Sequence, residues 1–121
     1  MNSLCYILSF WLLVLLPAAR VSAHAFLERS DPAVGGKIHS APAAVRIWFM
    51  EAIEHALSSI QVFDATGKQV DKKDTHSDRS NRSLLQISLP PLGPGTYKVV
   101  WAVVSVDTHV TKGDFTFQIL R

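Results

Sequence analysis

Apolar residues in this chain follow two regimes: one unbroken block near the N-terminus, then short alternating segments separated by clusters of Pro, Gly and Asp. The block at residues 5–17 reads CYILSFWLLVLLP. It has the length of a signal-peptide hydrophobic region and falls short of the roughly 20 residues that span a bilayer. The small-residue pattern Val21-Ser22-Ala23 follows, so cleavage between Ala23 and His24 is expected, although the only basic side chain of the leader, Arg20, stands after the apolar core instead of before it. The chain therefore divides into a signal peptide at residues 1–23 and one mature domain at residues 24–121.

Within the mature part the alternation predicts strands. Residues 25–29 come first, followed by a turn from Asp31-Pro32 to Gly35-Gly36. In residues 45–49 the apolar Val45, Ile47 and Phe49 alternate against Arg46, and residues 59–64 end at Thr66-Gly67. Residues 84–89 are closed by Pro90-Pro91-Leu92-Gly93-Pro94-Gly95, too rich in proline to continue a ladder. Residues 96–105 (TYKVVWAVVS) are apolar on both faces over most of their length, which predicts a central strand, whereas residues 114–120 (DFTFQIL) alternate with Phe115, Phe117 and Ile119 inward. Short strands between regular turn signals predict an all-β sandwich of about seven strands. Residues 50–57 place Ile53 and Leu57 four apart but are too short for a helix, so a loop is expected there. The polar tract at residues 64–83 (DATGKQVDKKDTHSDRSNRS) reads as a surface excursion.

Composition narrows the picture. Removal of residues 1–23 leaves 98 of the 121 residues, enough for one core and no second domain. Without Arg20 the mature part has 11 basic and 10 acidic side chains with no run of Lys or Arg, so neither nucleic acid nor an anionic membrane is indicated as a partner. The single cysteine, Cys5, lies in the leader. The mature domain is thus left without a disulfide, a thiolate nucleophile or a thiolate ligand, and its stability rests on packing.

Candidate chemistry begins at His24. As residue one of a processed chain it offers a free α-amine and a ring nitrogen that close a six-membered chelate on one ion. Asp107-Thr108-His109 directly follows the long apolar strand and precedes Gly113, a position at the rim of a sandwich. In extended backbone, residues i and i+2 face the same side about 6–7 Å apart, so the Asp107 carboxylate and the His109 imidazole converge. Together with His24 they supply three nitrogens and one oxygen, a set that suits one Cu(II) by geometry and by the Irving–Williams order. Zinc binds such a set more weakly and prefers a tetrahedral cage. A second copy of the tripeptide, Asp74-Thr75-His76, lies in the charged tract and reads as a solvated loop. His39 and His55 fall in connections and read as surface residues, while Trp48 and Trp101 lie within apolar strands and read as core.

At these residues the mature chain resembles the CopC family of exported copper-binding proteins. The matching segments are His24-Ala25-Phe26-Leu27 leading to Ser30-Asp31-Pro32-Ala33, then Val45-Arg46-Ile47-Trp48-Phe49-Met50-Glu51. They continue through Gly95-Thr96-Tyr97-Lys98-Val99 with Trp101, Val104-Ser105-Val106-Asp107-Thr108-His109, and residues 113–117. The resemblance implies a single Ig-like or cupredoxin-like Greek-key β-sandwich with His24, Asp107 and His109 as Cu(II) ligands. It also implies that Glu51 stands beside the site as a weak ligand or as an acceptor orienting the amine or an imidazole. Some members carry a methionine-rich Cu(I) loop; the mature part here has only Met50, so a Cu(II)-only type is expected.

The function implied is a non-enzymatic copper carrier, chaperone or buffer of the periplasm, acting in copper homeostasis, resistance or import. Its expected partners are the copper ion and an inner-membrane copper importer of the CopD type or another exported copper protein, and the expected state is a monomer. Two other readings compete. A copper monooxygenase-like enzyme with a histidine brace is opposed by the small domain, by the lack of an aromatic face for a polysaccharide and by the anionic Asp107, which favours Cu(II) over redox cycling. A metal-free Ig-like interaction module would leave the histidines incidental.

Overall fold

The computed structural model describes residues 27–121, which fold as two packed antiparallel-rich sheets. The first sheet has the order β1-β3-β6-β5, with β1 at Leu27–Asp31, β3 at Ala44–Phe49, β6 at Asn81–Ser88 and β5 at His76–Asp78. In the second, of order β2-β8-β7-β4, the strands are β2 (Lys37–Ile38), β8 (Val110–Ile119), β7 (Gly95–Val104) and β4 (Ser59–Phe63). All neighbours are antiparallel except β2 and β8. The expected all-β sandwich is present, with eight strands among the described residues because β2 and β5 are too short to show in the hydropathy pattern.

The core forms where the alternation predicts it. Val45, Ile47 and Phe49 of β3 and Leu85 and Ile87 of β6 face Ile60 and Val62 of β4, Val99, Trp101 and Val103 of β7, and Phe115, Phe117 and Ile119 of β8. Strand β7 is central, between β8 and β4, and its second face is half-buried at Val100, Ala102 and Val104. Trp101 is 1% exposed and meets Phe49 of the other sheet edge-on, with ring centroids 5.3 Å apart at 71°. Across the ladder its partner is Gly113, where an added Cβ would stand 2.4 Å from Trp101 Cζ2. Only a residue without a side chain lets the indole lie flat against β8. Trp48 does not join the core: it points to the other side of β3, half-buried, with the Arg29 guanidinium 3.6 Å from its ring centroid.

The polar tract is more than a surface excursion. β4 is the edge of its sheet, and an edge strand presents unpaired backbone groups. Here Val62 O accepts from Val70 N at 2.8 Å, Val62 N donates to Asp71 Oδ2 at 2.8 Å, and Ile60 N donates to Thr75 Oγ1 at 3.3 Å. Asp71 is only 9% exposed and also accepts from Lys73 N and Gln69 Nε2. Farther along, Asp74 Oδ1 accepts from Ser88 N at 2.8 Å, at the end of β6 in the opposite sheet. Asp74 and Thr75 are therefore tethers rather than solvated loop, and His76 opens β5 opposite Gln86. Hydropathy alternation misses this segment because its side chains act as backbone acceptors, a role that leaves no apolar period.

Two measurements check this account. Gly113→Ala is expected to lower unfolding stability by about 1–3 kcal/mol, the usual cost of overpacking, read from the urea midpoint. The Ser88 hydrogen bonds hold the Asp74 carboxyl below its ordinary value, against the opposing effect of burial. Because the folded value is the lower one, this contribution is fully present above about pH 4 and is lost as the pH falls through the lowered value. Asp74→Asn, which keeps an oxygen for Ser88 N but does not titrate, is thus expected to flatten the acid limb of the stability curve by lowering neutral stability while leaving acid stability nearly unchanged.

Candidate metal centre

Several strand termini meet at one end of the sandwich. Leu27, the first residue of β1, pairs with Phe49, the last of β3; Val104, the last of β7, pairs with Val110, the first of β8. β4 begins there too, since Ser59 is opposite Ala102. The connection after β3 closes this end by bonding to both sheets. Ile53 N donates to Arg82 O at 3.0 Å, Glu54 N to Val104 O at 2.8 Å, and Val106 N to Ala52 O at 3.0 Å. Ile53 is buried and bridged to Ser105, and a single 3-10 turn at His55–Leu57 leads into β4. The expected loop is thus a fastened plug, with Ile53 inward and Leu57 exposed.

The turn from β7 to β8 carries Asp107 and His109. Ser105 N donates to His109 O at 2.9 Å and Thr108 N to Ser105 O at 2.8 Å, which closes the turn. The Ser105 hydroxyl donates to Asp107 Oδ1 and accepts from His109 N at 3.1 Å. Thr108 has φ 73°, a left-handed conformation that a β-branched residue rarely adopts. Such strain persists only where surrounding bonds over-determine the backbone. The extended geometry expected for these residues is therefore replaced by a tight turn. The outcome for the side chains is the one anticipated: His109 Nδ1 stands 3.4 Å from Asp107 Oδ1.

Both side chains are open to solvent, His109 at 78% and Asp107 at 53% exposure. The Asp107 carboxyl is held below its ordinary value chiefly by the Ser105 hydroxyl, which outweighs the opposing desolvation, with further lowering from His109. An ionised carboxylate beside an imidazole nitrogen can serve as two donors to one ion. Metal bonds of about 2 Å to each atom reach across at most about 4 Å, so a 3.4 Å separation allows one ion to engage both. The pair cannot complete a site by itself. Among the described residues no group of three or more His, Cys, Asp or Glu side chains converges to hold an ion.

The remaining candidates divide by position. His24 and the Ala23 to His24 junction lie outside the described residues. Glu51 is exposed and immediately precedes Ala52, which bonds to Val106, so it belongs to the same end of the sandwich without a hydrogen bond to Asp107 or His109. His55 lies at this end as well, exposed in the 3-10 turn. His39 follows β2, which pairs with the last residues of β8, and so lies at the opposite end. Ser105 is the residue that sequence reasoning left without a role. Its signal was the Ser-x-Asp-x-His spacing at the close of an apolar strand.

Comparison with known proteins agrees with this fold. A model of the CopC domain matches residues 27–120. Protein YobA of Escherichia coli K12 is 35% identical over 102 residues, covering 82% of this chain and 81% of that protein. Copper resistance protein C of Xanthomonas campestris pv. juglandis is 32% identical over 111 residues, covering 86% of each. The crystal structure of CopC from Methylosinus trichosporium OB3b superposes with a TM-score of 0.75 at 30% identity, covering 80% of this chain and 94% of that one. With the sandwich, the match across nearly every described residue and the Asp107-Thr108-His109 turn at its rim taken together, this chain belongs to the CopC domain family.

Proposed function

We propose that this chain is an exported, non-enzymatic Cu(II) carrier that binds one ion through His24 at its processed N-terminus, with Asp107 and His109 completing the ligand set. The pairing of Leu27 with Phe49 carries the reading, because it brings the described start of the chain to the end of the sandwich that bears Asp107 and His109. His24 is three residues from Leu27, and three extended residues reach at most about 11 Å. In this reading the tether before Leu27 is short enough for the amine and ring of His24 to reach the rim. Glu51 lies on the same rim as a weak ligand or as an acceptor for the amine.

The donor chemistry supports copper as the cargo. An amine nitrogen, two imidazoles and a carboxylate form a nitrogen-rich, tetragonal set that favours Cu(II) over the other divalent ions. Relatives bearing copper-resistance names support the same cargo. The mature part has no thioether besides Met50, so a reduced ion, which prefers soft donors, finds no set of them and is released. Amine and imidazole must also shed protons to bind, so acidification releases the ion as well. In this reading residues 1–23 are a signal peptide, the site of action is the periplasm, the protein works as a monomer, and the recipient is an inner-membrane importer of the CopD type or another exported copper protein.

The ligand set makes several outcomes measurable. Mass spectrometry of the exported protein is expected to give a mature chain beginning at His24 that binds one Cu(II) tightly. One extra residue before His24 removes the amine chelate. It is expected to weaken binding by more than the roughly 10–100-fold that loss of an outer partner costs, with the circular dichroism unchanged. A different mature terminus, or no tight one-to-one binding, overturns the proposal. The carrier reading also requires that the copper-loaded protein, given reductant and polysaccharide, consume oxygen no faster than free copper.

A further inference from the structure

We infer that Ser105 is a positioning residue that fixes both Asp107 and His109 through one hydroxyl, an inference that rests on the copper-binding reading above. Ser105 is fully buried, with 0% exposure, at the junction where β7 ends and the turn begins. A polar side chain in that position must be hydrogen-bonded, and both of its bonds point at the two proposed ligand residues. The hydroxyl has one proton. Its donation goes to Asp107 Oδ1, since the alternative acceptor, His109 O, is 3.4 Å away. Its lone pair takes the His109 amide at 3.1 Å.

The architecture separates this role from fold maintenance. The bonds that fasten Ser105 into the sandwich are backbone bonds: its bridge to Ile53, its N–H to His109 O and its carbonyl to Thr108 N. On either side, Glu54 N to Val104 O and Val106 N to Ala52 O clamp the same strand end. Alanine keeps all of these. What it loses is the hydroxyl, and with it the restraint on the Asp107 carboxylate and on the His109 main chain from which the largely exposed imidazole projects. The Asp107 carboxylate and the His109 main chain are thereby referenced to one buried atom of the sandwich before any ion arrives.

The test compares wild type with Ser105→Ala and Ser105→Thr by competitive Cu(II) titration, by electron paramagnetic resonance of the loaded forms and by the His109 amide resonance of the metal-free forms. Ser105→Ala is expected to bind about 10–100-fold more weakly, with an altered copper hyperfine pattern and a shifted His109 amide. Ser105→Thr, which keeps the hydroxyl, is expected to restore the wild-type spectrum and most of the affinity. Wild-type affinity and spectrum in the Ala variant overturn the inference, as does a folded Thr variant as weak as Ala. An Ala variant that melts below the assay temperature assigns Ser105 to folding and overturns it too. If wild type itself fails to bind Cu(II), the proposed function falls instead, and the His109 amide still reads whether Ser105 orders the turn.

Discussion

The edge-on contact between Phe49 and Trp101 is the interaction to which the rest of this molecule is referenced. Phe49 is the last residue of β3 and the partner of Leu27, so it fixes the position of β1 at this end of the sandwich. Trp101 lies in β7 opposite Gly113, so it fixes the register of the long β7 and β8 ladder that ends in the Asp107 and His109 turn. One aromatic pair across the two sheets therefore sets the relative position of β1 and the turn. Aromatic pairs of this geometry contribute roughly 0.5–1.5 kcal/mol beyond the area they bury. The positional consequence exceeds that figure, because a one-residue slip of β8 would drive a side chain into the indole and turn every inward residue outward.

Residues 27–121 contain no cysteine, so the sandwich must also manage its edges without covalent help. The exposed edge of β4 is covered by Val70, Asp71 and Thr75, and the same tract is pinned to the end of β6 through Asp74. Charged and hydroxylic residues thus serve as strand-edge caps, which satisfies the backbone while denying a partner chain a template. At the other end the 50–58 connection does equivalent work with main-chain bonds to both sheets, leaving the rim rigid where Asp107 and His109 stand.

The strands of the core were legible because burial imposes a period of two, and the intervals around Val45, Ile47 and Phe49 and around Phe115, Phe117 and Ile119 record it directly. The rim was legible from Asp107-Thr108-His109 following a strand apolar on both faces. Three features were not, each for a physical reason. β6 begins at Asn81 and β8 at Val110, ahead of their apolar stretches, because pairing partners extend a strand where side chains give no sign. Trp48 reads as core from composition, yet an even position in β3 turns it to the other face, where Arg29 covers it. The Thr108 backbone and the Ser105 hydroxyl depend on a turn whose bonds link groups through space, and no hydropathy pattern encodes that.

The contrast between a buried hydroxyl and two exposed ligands bears on what kind of copper protein the proposed ligand set would make. A storage site surrounds its ion, and release then requires the protein to open. Here the support is inside and the donors are outside, so an ion held by them stays accessible to an incoming ligand and can be passed on by exchange while the sandwich remains folded. The remaining donors in this reading, the amine and ring of His24, exist as a chelate only after the bond at Ala23 is cut. An unprocessed chain has a peptide nitrogen at that position, which cannot act as the amine. On the proposed ligand set, copper capture would be coupled to export by covalent chemistry, and the chain would acquire its affinity only in the compartment where the cargo is to be collected.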